Sequence, residues 1–208
     1  MTAAKPIFHL LAGPNGAGKS TLYWALVSNG DIGKALDFVN ADLYEQSHLQ
    51  HVVDLQKRSE AARDWANERR KALLNTHTSF VSETVFSHES KLALITPAQA
   101  LGFDVILYVV SVDDPQRLLA RVSQRVREGG HNVPAQRILD RYPRTMANLK
   151  KAVRLADLAF VYDAVDVEQG AHLLVAMCEK AQINLLAKAP MWVQSMLQEQ
   201  IDLMLRGH

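Results

Sequence analysis

Residues 13–20 constrain this chain most: Gly-Pro-Asn-Gly-Ala-Gly-Lys-Ser fits the pattern G-x-x-x-x-G-K-[ST]. The run ahead of it, Ile7–Ala12, is apolar but for His9, as in a strand buried on both faces. From Lys19 to about Ser28 the pattern is helical. A glycine-rich turn between a buried strand and a helix is the context in which this motif cradles phosphate. Gly13, Gly16 and Gly18 let the backbone take positive φ and approach a phosphate without a Cβ clash. Successive amides then form an anion nest at the positive end of the helix. The expected nucleotide contacts are therefore Gly13, Asn15, Gly16, Ala17, Gly18, Lys19, Ser20 and Thr21. Lys19 supplies a point charge to the outer phosphates of ATP, and the Ser20 hydroxyl takes one position on Mg²⁺.

Strand and helix patterns alternate along the rest of the chain. Phe38–Val39 ends in Asn40-Ala41-Asp42. Residues 43–96 hold neither Gly nor Pro and read as largely helical, with Leu49, Val52, Val53, Trp65, Leu73 and Leu74 as core candidates. Ser79–Ser82 reads as a third strand, a helix follows near Glu89–Leu101, and Val105–Val110 is the clearest strand. Asp113-Asp114-Pro115 starts a helix that runs to Glu128 and stops at Gly129-Gly130. Asp113 reads as the acidic cap of that helix. A second helix runs from near Pro134 to about Ala152, interrupted near Pro143. Leu158–Tyr162 is a fifth strand; Leu173–Cys178 and Ile183–Ala187 suggest a terminal hairpin, with a last helix from near Pro190. The expectation is one α/β domain over residues 1–208. It has a mostly parallel five-stranded sheet, a helical lid at about 115–152, and the hairpin and helix at about 171–206.

With 208 residues, 48% of them apolar, the chain can bury a core without disulfide or metal staples. The single cysteine, Cys178, lies in an apolar strand and reads as a small core hydrophobe in a reducing compartment. The short apolar N-terminal run reads as a strand rather than a signal peptide, and no stretch reaches membrane-spanning length, so a cytoplasmic protein is expected. Net charge is only +1, yet Arg117 to Arg154 holds ten basic residues against two acidic ones. Arg117, Arg121 and Arg125 are spaced i, i+4, i+8 on one helix face, and Arg141 and Arg144 lie on the next helix. Three readings fit: a lid whose arginines neutralise a transferring phosphate, a nucleic-acid footprint, or a solvated helix face. The scarcity of aromatics, with Tyr142 alone in the segment, weighs against nucleic acid.

A phosphate loop does not by itself separate kinases, ATPases and GTPases. The Asn-Lys-x-Asp base-reading pattern of GTPases is absent, and Ser82-Glu83 is a poor version of an aliphatic strand ending in a magnesium-binding Asp. Asp42 ends the second strand, at the edge where parallel strands line a ligand crevice. It is either a base for an acceptor hydroxyl or the cap of the next helix. Glu83 and Thr84 end the third strand on the same edge. They are candidate acceptor contacts, Glu83 alternatively an acid hydrogen-bonded around Mg²⁺. A kinase and a nucleotide-dependent regulatory or nucleic-acid-associated P-loop ATPase are the two functional classes left open.

The ordered series Gly13–Thr21, Asn40-Ala41-Asp42, Ser82-Glu83-Thr84, Gly129-Gly130-His131-x-Val133-Pro134 and Arg141-Tyr142-x-Arg144 resembles the zeta-toxin family of P-loop kinases, over about residues 6–165. The resemblance implies a nucleotide-kinase-like fold and transfer of the ATP γ-phosphate to a hydroxyl of UDP-N-acetylglucosamine or a similar UDP-sugar. It implies Asp42 as base, Lys19, Arg125 and Arg141 on the transferring phosphate, Glu83 and Thr84 on the acceptor, and Arg121 against adenine. An antitoxin protein is an implied partner. Val85 stands where those toxins often carry a hydroxyl contact.

Three further features invite simpler readings. His48 and His51 share a helix face without a third ligand and read as a surface pair. His131 could orient the lid turn or touch phosphate. Met191, Trp192, Met196, Leu197, Met204 and Leu205 suggest an amphipathic last helix that packs on the core.

Overall fold

The computed structural model describes residues 4–128, 133–164, 172–180 and 182–206. Its centre is a seven-stranded sheet. β1 (Ile7–Ala12), β2 (Asp37–Val39), β3 (Phe80–Thr84), β4 (Asp104–Ser111) and β5 (Leu158–Asp163) run parallel, and β6 (Leu173–Glu179) and β7 (Gln182–Leu185) run antiparallel to their neighbours. The spatial order is β2-β3-β1-β4-β5-β6-β7. The expected hairpin therefore exists, but it extends the main sheet past β5 rather than standing apart, so the sheet has seven strands instead of five. Cys178 is buried in β6, where burial pushes its thiol up to about 11.

Both faces of the sheet are covered. Phe8, Leu10, Ala12, Val105, Leu107 and Val109 face one core with α3 (Leu55–Asn75), α6 (Ala135–Leu155) and α7 (Met191–Arg206). Leu11, Tyr108 and Val110 face the other, with α1 (Lys19–Asn29) and α5 (Pro115–Arg127). The period-2 alternation of strand side chains makes this division. It leaves the central strands apolar on both sides, as parallel sheets require.

Four local expectations need correction. Residues 43–96 are largely helical as expected, but of the expected core candidates there Val53 falls in a break between two helices. α2 (Ala41–His48) ends, and α3 begins anew because the Asp54 carboxylate accepts the amides of Gln56 and Lys57. A cap restarts the helix where no Gly or Pro marks the break. Between the two, Leu49 and Val52 are half-buried and Val53 is 89% exposed, so Val53 is not core. The helix expected over Glu89–Leu101 is a 3₁₀ turn, Glu89–Leu94, followed by the short α4 (Thr96–Ala100). Pro143 does not interrupt α6. Its missing amide costs about 3 kcal/mol, outweighed here by a buried stripe of Ile138, Thr145, Asn148, Leu149, Ala152 and Val153 on both sides of it. Asp113 does not cap α5; Asp114 does, accepting the Gln116 amide, while Asp113 accepts the Trp192 amide in the first turn of α7.

The last helix packs as expected at Trp192, Met196 and Leu197, whereas Met191 is 68% exposed. The side chains of Met204 and Leu205, and residues Gly129, Gly130, His131 and Asn132 of the lid turn, lie outside the described residues. No described helix is long and apolar enough to cross a membrane.

Candidate active site

Parallel strands bring their carboxyl ends to one edge, so the loop after β1, the Asn40–Asp42 turn after β2 and the Glu83–Thr84 end of β3 meet there. The order around β1, with β3 on one side and β4 on the other, makes this the reversal point where open α/β sheets bind ligands.

The loop is tightly held. Gly16 takes φ +78°, and a Cβ there would come within 2.6 Å of the Leu118 carbonyl oxygen of α5. At Gly13 a Cβ would stand 2.1 Å from the Val110 carbonyl oxygen. Gly18, at φ 92°, precedes α1 without a capping side chain, so the first amides of that helix are left for a ligand. Lys19 is 6% exposed; its Nζ donates to the Pro14 carbonyl and lies 3.6 Å from Glu83 Oε1. The Ser20 hydroxyl donates to Glu83 Oε2 at 2.9 Å. Asn15 is buried, and its Oδ1 has no hydrogen-bond partner among the described residues. The Ala17 side chain is fully buried and its amide reaches the Pro14 carbonyl at 3.3 Å. Ala17 thus packs the loop from behind.

Two cavities open onto this loop. One, about 360 Å³, is lined by Gly18, Ser20, Thr21, Arg121, Gln124 and Glu128 among others. The second, about 470 Å³, is lined by Asn15, Asn40, Asp42, Thr84, Val85 and Arg141 among others. Gly16, Lys19, Glu83 and Arg125 line both. Asp42 does not cap α2: Asn40 does, accepting the Leu43 amide at 3.1 Å. Asp42 sits in the first helical turn instead, half-buried on the second cavity. Asn40 Nδ2 also donates to Glu83 Oε2 at 2.9 Å, so one residue orients both acids.

The arginines divide between the cavities. Arg121 donates to the Ala164 carbonyl at the end of β5 and lines the first cavity only. Arg125 stands at the junction, and Arg141 lines the second cavity with Asp42. Burial, then Arg137 and Arg144, hold the Arg141 guanidinium below the usual arginine range, with Asp42 opposing. Arg117 and Arg144 line neither cavity. His48 and His51 are exposed, and no group of three metal-binding side chains occurs among the described residues. For Mg²⁺ this is the ordinary situation: a hydroxyl and a carboxylate beside phosphate suffice, and Ser20 with Glu83 provides that oxygen pair.

Three cations in the second cavity, Arg63, Arg70 and Lys91, escape notice in the sequence, where they read as ordinary surface charges. So does His172, whose Nε2 lies 3.1 Å from the Gly18 carbonyl oxygen.

Residues 8–149 match the family described as AAA domain. No curated protein matches the sequence. Solved structures share the fold. The AvrRxo1-ORF1:ORF2 complex with ATP has a TM-score of 0.68 at 18% identity over 96% of this chain and 64% of that one. The same pair with sulphate gives 0.66 at 16% identity over 88% of this chain and 62% of that one. The PezAT chromosomal toxin-antitoxin system of Streptococcus pneumoniae gives 0.61 at 14% identity, over 97% of this chain and 86% of that one. The chain thus spans less than two thirds of the AvrRxo1 chain it matches.

Proposed function

The chain belongs to the AAA-domain family, and on that premise we propose that it is a Mg-ATP-dependent kinase that phosphorylates a hydroxyl of a small acceptor, a UDP-sugar such as UDP-N-acetylglucosamine, as zeta toxins do. One observation carries this reading: Lys19 of the phosphate loop, Glu83 of β3 and Arg125 of α5 form a wall common to two cavities, with Asp42 in the second. A hydrolase needs room for one water beyond the γ-phosphate. Here there is a second chamber of about 470 Å³ with a carboxylate in it, enough for an organic acceptor.

The proposed chemistry follows from that arrangement. ATP lies in the first cavity with its phosphates on the loop amides and its base toward Arg121. The acceptor lies in the second, its hydroxyl against Asp42 and its other polar groups against Glu83 and Thr84. Asp42 takes the hydroxyl proton as the oxygen forms its bond to the γ-phosphorus and the bond to the β,γ-bridging oxygen breaks, leaving ADP. Lys19, Arg125 and Arg141 offset charge on the transferring group. Mg²⁺, held by Ser20 beside Glu83, would neutralise the β- and γ-oxygens. The α5–α6 arm covers the junction, and its closure would exclude water and suppress hydrolysis. By extension from the name of the PezAT system, an antitoxin protein is the proposed partner; the single, unpaired cysteine suits the cytoplasm as the proposed site of action.

The test is incubation with ATP and a panel of UDP-sugars, followed by mass spectrometry. A UDP-sugar gaining one phosphate supports the reading. ADP and inorganic phosphate with no phosphorylated acceptor, above all if nucleic acid accelerates their release, would establish the ATPase alternative.

A further inference from the structure

The second cavity holds its acids on one side only, where Lys19, Arg125 and Arg141 also stand. Its acids, Asp42, Glu45 and Glu83, all come from the ends of β2 and β3 and from α2. The opposite wall is α3 and the segment after β3, and it contributes Arg63, Arg70 and Lys91 with no acid at all. On α3 the stripe Ser59, Ala62, Arg63, Ala66, Arg70 follows helical spacing, and its two alanines leave space between the cations.

Arg70 is only 5% exposed. Its guanidinium donates to Ser82 Oγ at 3.1 Å and to Asn67 Oδ1 at 2.6 Å, both neutral, and its Nε has no partner among the described residues. A buried guanidinium without a carboxylate leaves its desolvation uncompensated. Burial lowers the pKa of the Arg70 guanidinium to about 10. Lys91, on the 3₁₀ turn, is held below the ordinary lysine range by burial and then by Arg70 and Arg63. Arg63 pairs with Asp64 at 3.5 Å, both side chains being exposed. Three mutually repelling cations thus face one chamber.

We propose that Arg63, Arg70 and Lys91 form an anion subsite that grips a phosphate group carried by the acceptor, distinct from the phosphate being transferred. The assignment rests on the kinase reading for its role in catalysis. The recognition itself follows from the charges: a guanidinium fork and two further cations suit a multiply charged phosphate, and a neutral sugar would bring no counter-charge to the buried Arg70 and Lys91. The substrate class is therefore a phosphorylated alcohol, with its reacting hydroxyl at Asp42 and its phosphate at α3.

Calorimetry tests this without knowing the acceptor. The nucleotide loop is first saturated with a non-hydrolysable ATP analogue and Mg²⁺, and inorganic phosphate is then titrated in, with acetate as comparator. Saturable one-to-one phosphate binding is expected, with acetate at least tenfold weaker. Lys91→Gln and Arg63→Gln should each weaken phosphate binding at least tenfold while thermal melts show folded protein. Arg70→Lys, which keeps the buried charge, should weaken it several-fold. For any acceptor found by mass spectrometry, Lys91→Gln should raise KM at least tenfold and leave kcat within about twofold. Absence of saturable phosphate binding, or Lys91→Gln and Arg63→Gln both binding as wild type does, overturns the subsite. Phosphate binding with no transfer to any acceptor would instead count against the kinase reading and leave the subsite standing.

Discussion

The Asn40 side chain accepts the Leu43 amide through Oδ1 and donates to Glu83 through Nδ2. It thereby sets the start of α2, which carries Asp42, and the acid that meets Ser20 and Lys19. Asn40→Ala should cost about 1 kcal/mol of stability as a lost cap. It should also lower kcat, because Glu83 loses the bond that holds it, and denaturant melts beside steady-state kinetics separate the two effects. Lys19→Ala should abolish transfer, since nothing else in the loop presents a mobile charge to the outer phosphates. Asp42→Asn keeps the shape and removes the base, so kcat should drop by roughly 10²–10⁴ with nucleotide affinity within about twofold. Rapid-quench kinetics and equilibrium nucleotide titration check that pair.

Helices are where the site depends on packing that a motif does not describe. α5 lies so close on the phosphate loop that Gly16 has no room for a methyl group against Leu118. Gly16→Ala should therefore strain the loop and displace the helix bearing Arg121 and Arg125, costing about 1–3 kcal/mol and weakening ATP binding; calorimetric melting with and without ATP reads both. The strand–loop–helix unit, the parallel core and the helical arm were legible because apolar runs and glycine spacing are local signals. Other features were not. The α2–α3 break depends on the Asp54 cap with no Gly or Pro, and Pro143 is tolerated because tertiary burial overrides its penalty. Among the candidate site residues, Glu83 could be read from the strand end it occupies and Asp42 from the turn that follows β2. Arg63, Arg70 and Lys91 could not, because helical positions in a charged stretch reveal neither burial nor which distant cavity they line.

Across the whole molecule, stability is linked to pH through a residue remote from the catalytic edge. His9, in the middle of β1, is 5% exposed, pairs with the Tyr108 hydroxyl at 3.0 Å, and is lowered by burial to about 4. An unfolded histidine binds its proton near pH 6.5. The folded state keeps His9 neutral well below that, so its contribution is complete above about pH 6.5 and is lost as pH falls toward 4. Urea melts at pH 7.5 and 4.5 should differ by about 2–3 kcal/mol from this group, and His9→Gln should flatten that part of the profile. On the opposite face of the sheet, α7 closes the other core from outside, with Leu197 fully buried beneath it. Leu197→Ala should cost about 2–5 kcal/mol while leaving KM values of the folded enzyme unchanged.

Two chambers sharing one phosphate-binding wall predict that the γ-phosphate of ATP leaves on an organic hydroxyl. Terminally radiolabelled ATP, mixed with a small-molecule cell extract and with wild-type or Asp42→Asn protein, follows that phosphate directly. The account predicts label on an organic phosphate with wild type, reduced at least a hundredfold by Asp42→Asn. Label found solely as inorganic phosphate, released equally fast by both proteins, would contradict it.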